Sequence, residues 1–183
     1  MTNRLAVIAG PTAVGKGTVV RHILANYPDF VLSVSATTRE PRPGEVDGVD
    51  YFFWTHEQFE AAIAAGEMLE FATVHGKNLY GTPRKPVEAA LAVGKSVILE
   101  IDIQGAWQVR DSMPEARLIF IQPPSWDELV RRLTSRGTES DAEQAVRLET
   151  AKAELAAADK FDFQVVNAEV AECAAAVVNL IQA

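Results

Sequence analysis

The chain has 183 residues, 48% hydrophobic and 23% charged, a balance that closes the core of one globular domain and excludes disorder, collagen and coiled coil. Its formal charge of −8 is the wrong sign for a non-specific nucleic-acid binder. An anionic ligand would therefore need a local cluster of Arg, Lys and backbone N–H groups. No apolar stretch reaches the roughly 18 residues of a membrane helix, the first apolar run is too short for a signal peptide, and the one cysteine forbids an internal disulfide, so a cytoplasmic location is expected.

Strand-like and helical runs alternate along the chain, which predicts an α/β fold with a mostly parallel sheet flanked by helices. In chain order, a strand is expected over 4–9, a helix over 16–27, and strands over 30–36, 96–101, 117–121 and 163–166. Capping-box spacing marks helix starts at Thr55 with Gln58, Ser125 with Glu128, and Ser140 with Glu143. Residues 37–82 differ in texture: Pro41, Pro43, Gly44, Gly48, Gly76 and Gly81 accompany six aromatics before Leu79. They read as short strands with one helix, an insertion folding over the ligand-binding edge of the sheet. The segment Arg136-Gly137-Thr138 breaks two helices and reads as a hinged flap. A final helix over 170–181 puts Cys173, Val177 and Leu180 on one face, so Cys173 is expected as a packed thiol.

The strongest chemical signal is Gly10-Pro11-Thr12-Ala13-Val14-Gly15-Lys16-Gly17-Thr18, placed after a strand and opening a helix. Glycines let such a loop wrap phosphates, helix N-terminal N–H groups face the oxygens, and Lys16 would reach the β- and γ-phosphates. The hydroxyl expected directly after the lysine comes one place later, at Thr18, which weakens its assignment as a magnesium ligand. A second signal is the pair Arg39 and Arg42, pinned by prolines, with Tyr51 following. Two such arginines form a fork suited to a phosphate monoester, and equally describe a loop with surface arginines. His22, His56 and His75 show no metal-ligand spacing.

The phosphate loop, the Ser35 to Tyr51 segment, Tyr80-Gly81-Thr82, Glu100-Ile101-Asp102-Ile103-Gln104-Gly105 and Arg136-Gly137-Thr138-Glu139 together resemble guanylate kinase, in the same order and at similar spacings. The resemblance implies a single P-loop kinase domain: a core over 1–36, 83–124 and 160–183, a mixed GMP-binding insertion over 37–82, and a helical lid over 125–159. It implies that Ser35, Arg39, Arg42, Tyr51 and Tyr80 hold the GMP phosphate, while Glu70, Thr82 and Asp102 read guanine. Gly10 to Thr18 would bind ATP, with Asn167 beside the adenine. Lys16, Arg39, Arg136 and Arg147 would be the catalytic cations, and Mg²⁺ would arrive with ATP. The chemistry of guanine suits these types, since a carboxylate accepts from N1–H and N2–H₂ and Thr82 can donate to O6. The expected reaction is γ-phosphoryl transfer from ATP to GMP, and to dGMP, with no nucleic-acid polymer or membrane as partner. Two rivals are a catalytically dead phosphopeptide-binding scaffold of the same fold and a kinase acting on a sugar phosphate.

Overall fold

A computed structural model describes residues 4–74, 76–134 and 141–183. The elements run β1 (Leu5–Ala9), α1 (Lys16–Asn26), β2 (Phe30–Leu32), β3 (Ala36–Thr37), β4 (Phe52–Phe53), α2 (His56–Ala64), β5 (Met68–Val74) and β6 (Asn78–Pro83). They continue with α3 (Arg84–Ala92), β7 (Ser96–Glu100), α4 (Ile103–Ser112), β8 (Arg117–Gln122), α5 (Trp126–Thr134), α6 (Asp141–Ala156), β9 (Phe163–Val166) and α7 (Val170–Gln182). Five strands form one parallel sheet in the order β2-β7-β1-β8-β9, and the other four form a small mixed sheet in the order β4-β3-β6-β5.

The parallel sheet is covered on both faces, which is why its strands read as continuous apolar runs. Every residue of β1 is fully buried. Ala6, Ile8, Ile98, Ile119 and Ile121 face α1 and α7 through Val19, Ile23, Val177 and Ile181. Leu5, Val7, Leu99, Leu118 and Phe120 face α3 and α4 through Val87, Ala106 and Val109. Burying each such Leu, Ile, Val or Phe side chain contributes about 1.5–3 kcal/mol. The small sheet has its own cluster, Ala36, Phe59, Ala62 and Met68.

The expected strand over 30–36 is two strands in different sheets. Phe30 belongs to the large core, Ser33 N still bonds Ile98 O at 2.9 Å, and Ala36 then pairs with Gly81 of β6. The chain changes sheets there, a tertiary event that local periodicity does not encode. The Thr55 box is complete: Gln58 N donates to Thr55 Oγ1 at 3.1 Å and Thr55 N to Gln58 Oε1 at 2.9 Å. At Ser125 only half the box forms, since Glu128 N donates to Ser125 Oγ while the Glu128 carboxylate turns to Arg131 and Arg132. Ser140, His75 and the segment around Arg136 lie outside the described residues. Among those described, no helix is long and apolar enough to cross a membrane.

Candidate active site

At the carboxyl end of β1 the chain enters the phosphate loop. Gly10 sits at φ 149°, and a Cβ there would lie 2.4 Å from the Ile121 carbonyl oxygen of β8. Gly15 takes the left-handed conformation at φ 98° as the N-cap of α1. Ala13 is the one described non-glycine residue at positive φ, 66°; such strain persists where the surroundings over-determine the backbone and clusters at ligand sites. The Lys16 ammonium donates to the carbonyls of Gly10 at 2.5 Å and Pro11 at 3.3 Å, closing the loop on itself. Burial lowers the Lys16 pKa, against the pull of Glu154, Glu100 and Asp102 around it. Ala13, Gly15, Thr18, Arg132, Asn167 and Val170 line an open pocket on this loop's flank.

Glu70 on β5 is registered directly opposite Thr82 on β6, and both are buried. Thr82 Oγ1 donates to Glu70 Oε1 at 2.7 Å. In this arrangement the hydroxyl is directed at Glu70, so Thr82 orients the carboxylate. Burial raises the Glu70 pKa, Thr82 opposes that rise, and Asp102 adds to it. Asp102 caps α4, its Oδ1 accepting from Gly105 N at 2.7 Å. A Cβ on Gly105 would lie 3.1 Å from Glu70 Oε2 and 3.3 Å from Asp102 Oδ1. The two carboxylates therefore converge on one helix N-terminus, whose dipole favours negative charge. Convergent acceptors of this kind suit a base edge that carries two donors.

Arg39 follows β3. Its two terminal nitrogens bind Glu45 at 2.9 Å each, and Nη1 also reaches the Glu40 carbonyl at 2.6 Å. Glu45 further accepts from Arg42 N at 2.7 Å. This pairing pushes the guanidinium pKa up and holds the Glu45 carboxyl below its ordinary value. The Arg39 guanidinium also lies over Tyr51 at 5.5 Å and Phe53 at 5.8 Å, and the Tyr51 ring meets Tyr80 edge-on at 6.0 Å. Arg39, Tyr51 and Tyr80 thus form one cluster with an acidic anchor, while Arg42 is exposed beside it. Ser35 is part-exposed, and its carbonyl accepts from Phe52 N at 2.9 Å.

Arg147 lies exposed on α6, and Arg136 is outside the described residues. Four residues at the site escaped sequence reasoning. Arg132 Nη1 donates to Val14 O at 3.1 Å, and Glu154 Oε2 accepts from Thr12 N at 3.3 Å. Glu100 stands beside Gly17, and Glu45 grips Arg39. The six-residue step from Arg39 to Glu45, within a Pro/Gly-pinned loop, was the readable signal for the last. Arg132 and Glu154 carry no local signal, since both reach the loop from more than a hundred residues away.

A parallel sheet with helices on both faces, a Gly-rich loop between β1 and α1 and polar groups at the strands' carboxyl ends define a P-loop kinase-like nucleotide-binding protein. A family model described as guanylate kinase matches residues 2–183. A guanylate kinase of Leifsonia xyli subsp. xyli is 66% identical, with 96% of this chain and 69% of the relative covered. One from Nocardia farcinica is 58% identical over 97% of this chain and 92% of its own. The crystal structure of guanylate kinase from Anaplasma phagocytophilum matches with TM-score 0.72 at 33% identity, covering 100% of this chain and 86% of that one. The chain belongs to the guanylate kinase family.

Proposed function

We propose that this chain transfers the γ-phosphoryl group of ATP to GMP, and to dGMP, giving ADP and the nucleoside diphosphate, in the cytoplasm. The observation that carries the reading of the acceptor is the buried Glu70–Thr82 pair converging with Asp102 on the start of α4. Guanine offers N1–H and N2–H₂ to those carboxylates, whereas adenine would set a lone pair against them. Ser35, Arg39, Arg42, Tyr51 and Tyr80 take the GMP phosphate, with Glu45 holding Arg39 in place. A phosphopeptide scaffold would have no use for an intact phosphate loop, and a sugar-phosphate kinase none for a base-reading carboxylate pair.

On the donor side the phosphate loop, Gly10 to Thr18, cradles ATP through its N–H groups, and Lys16 stabilises charge on the transferring group. The GMP phosphate oxygen is already an anionic nucleophile, so no general base is needed. Residues 37–82 act as the acceptor-binding unit and 125–159 as a lid that brings Arg136 and Arg147 to the phosphates and excludes water. Among the described residues no cluster of three or more His, Cys, Asp or Glu could hold a metal by itself. Mg²⁺ would arrive with the nucleotide and take only one or two protein oxygens. Thr18 and Glu100, beside the loop, are the residues that would hold it, and it would neutralise phosphate charge. Lys16→Ala tests the assignment: turnover should fall by several orders of magnitude with the melting temperature and GMP affinity nearly unchanged. Near-normal turnover in the folded variant would overturn it.

A further inference from the structure

We infer that Asn167 is a positioning residue of the phosphate loop, acting on transfer through the Val14–Gly15 peptide rather than by reading the donor's base. This rests on the phosphotransferase reading above. Asn167 follows β9 and is 3% exposed. Its Nδ2 donates to Val14 O at 2.9 Å, and the same carbonyl accepts from Arg132 Nη1 at 3.1 Å. The peptide is planar and trans, so its C=O and the following N–H point in opposite directions. Pinning Val14 O from two sides therefore fixes where the Gly15 N–H points, and that N–H belongs to the cradle at the head of α1. Packing reinforces the bonds: a Cβ on Gly15 would lie 2.6 Å from Asn167 Nδ2, so the amide fills the space that the glycine leaves.

A base-reading asparagine needs its amide turned to the base. Here Nδ2 is turned to the Val14 carbonyl at 2.9 Å. What the side chain visibly does is hold the loop. Arg132 is itself held by Glu128 at 2.8 Å, so the Val14 carbonyl also ties α5 to the loop.

The test compares ATP with inorganic tripolyphosphate, which carries phosphates and no base, on Asn167→Asp and Asn167→Ala. The aspartate keeps the shape and sets an oxygen against the Val14 carbonyl; the alanine removes the amide altogether. Turnover should fall about ten- to a hundred-fold, as expected when a loop shifts away from productive geometry. ATP binding and tripolyphosphate inhibition should weaken by the same factor. If ATP weakened while tripolyphosphate did not, Asn167 would be a base reader and the inference would be wrong. Unchanged kinetics would overturn it too, as would loss of the folded state by circular dichroism in both variants, which would make Asn167 a packing residue. An unaltered chain that released no ADP with GMP would instead remove the phosphotransferase reading itself.

Discussion

Glu70 carries two consequences of one burial. Its pKa stands above the ordinary 4.5, chiefly through desolvation, so the folded state favours the protonated carboxyl. The charged form opposes folding increasingly as pH rises through the raised pKa, and the penalty is absent below the unfolded value. Glu70→Gln should therefore raise the melting temperature at neutral pH, with the difference vanishing at pH 4. On the proposed reading Glu70 meets guanine in its ionised form, so GMP affinity should begin to fall at a higher pH than for an ordinary glutamate. A dissociation constant for GMP that stays flat down to pH 4.5 would contradict this. Arg39 poses the complementary case, a cation held by Glu45 rather than by burial. Glu45→Ala should raise the KM for GMP several-fold and leave kcat nearly unchanged, read by steady-state kinetics; a kcat loss with normal KM would place Glu45 in the transfer step.

Strands β5 and β6 carry Glu70 and Thr82, and their contact leaves no room for a side chain at one point. A Cβ on Gly81 of β6 would sit 2.4 Å from the Glu70 carbonyl oxygen and 3.0 Å from Phe71 Cα, both backbone of β5. Gly81→Ala must push the strands apart and should cost about 1–3 kcal/mol of stability, the range for overpacking a filled site. Thermal or urea denaturation measures this, and an unchanged melting temperature would mean the strands separate freely. Helix α7 offers a second probe. Cys173 is 2% exposed and burial pushes its thiol up to about 11. Alkylation at pH 8 should be far slower than for a free thiol and should follow global unfolding, because α7 packs on α1 and the sheet. Rapid labelling of the native chain would show that α7 detaches on its own.

At the scale of the whole molecule, what the sequence made legible was what lies close along it. The phosphate loop, the Thr55 cap, the buried β1 run and the face of α7 are each written in a dozen residues or fewer. The parallel sheet followed from their alternation, and the family from a resemblance that spans nearly the whole chain. The contacts that brace the phosphate loop were not legible: Thr12 to Glu154, Val14 to Arg132 and Val14 to Asn167 join residues 142, 118 and 153 apart. The sheet change after Ser33 and the pairing of Glu70 with Thr82 are also tertiary outcomes. Function depends on that long-range assembly, because transfer requires both nucleotides in one water-free space. Arg147→Ala should therefore lower turnover more than it weakens GMP binding; the reverse pattern would assign Arg147 to the acceptor.

On the proposed reading, one site phosphorylates a guanine nucleotide and discriminates it by its base. The direct measurement is ADP release by the intact chain with ATP and, in parallel, GMP, AMP, CMP, UMP and a sugar phosphate as acceptors. Release should be rapid with GMP and, by the cost of stranding hydrogen-bonding groups in a desolvated pocket, kcat/KM for AMP should be lower by about 10⁴-fold or more. Comparable rates with GMP and AMP, or turnover with the sugar phosphate alone, would contradict it.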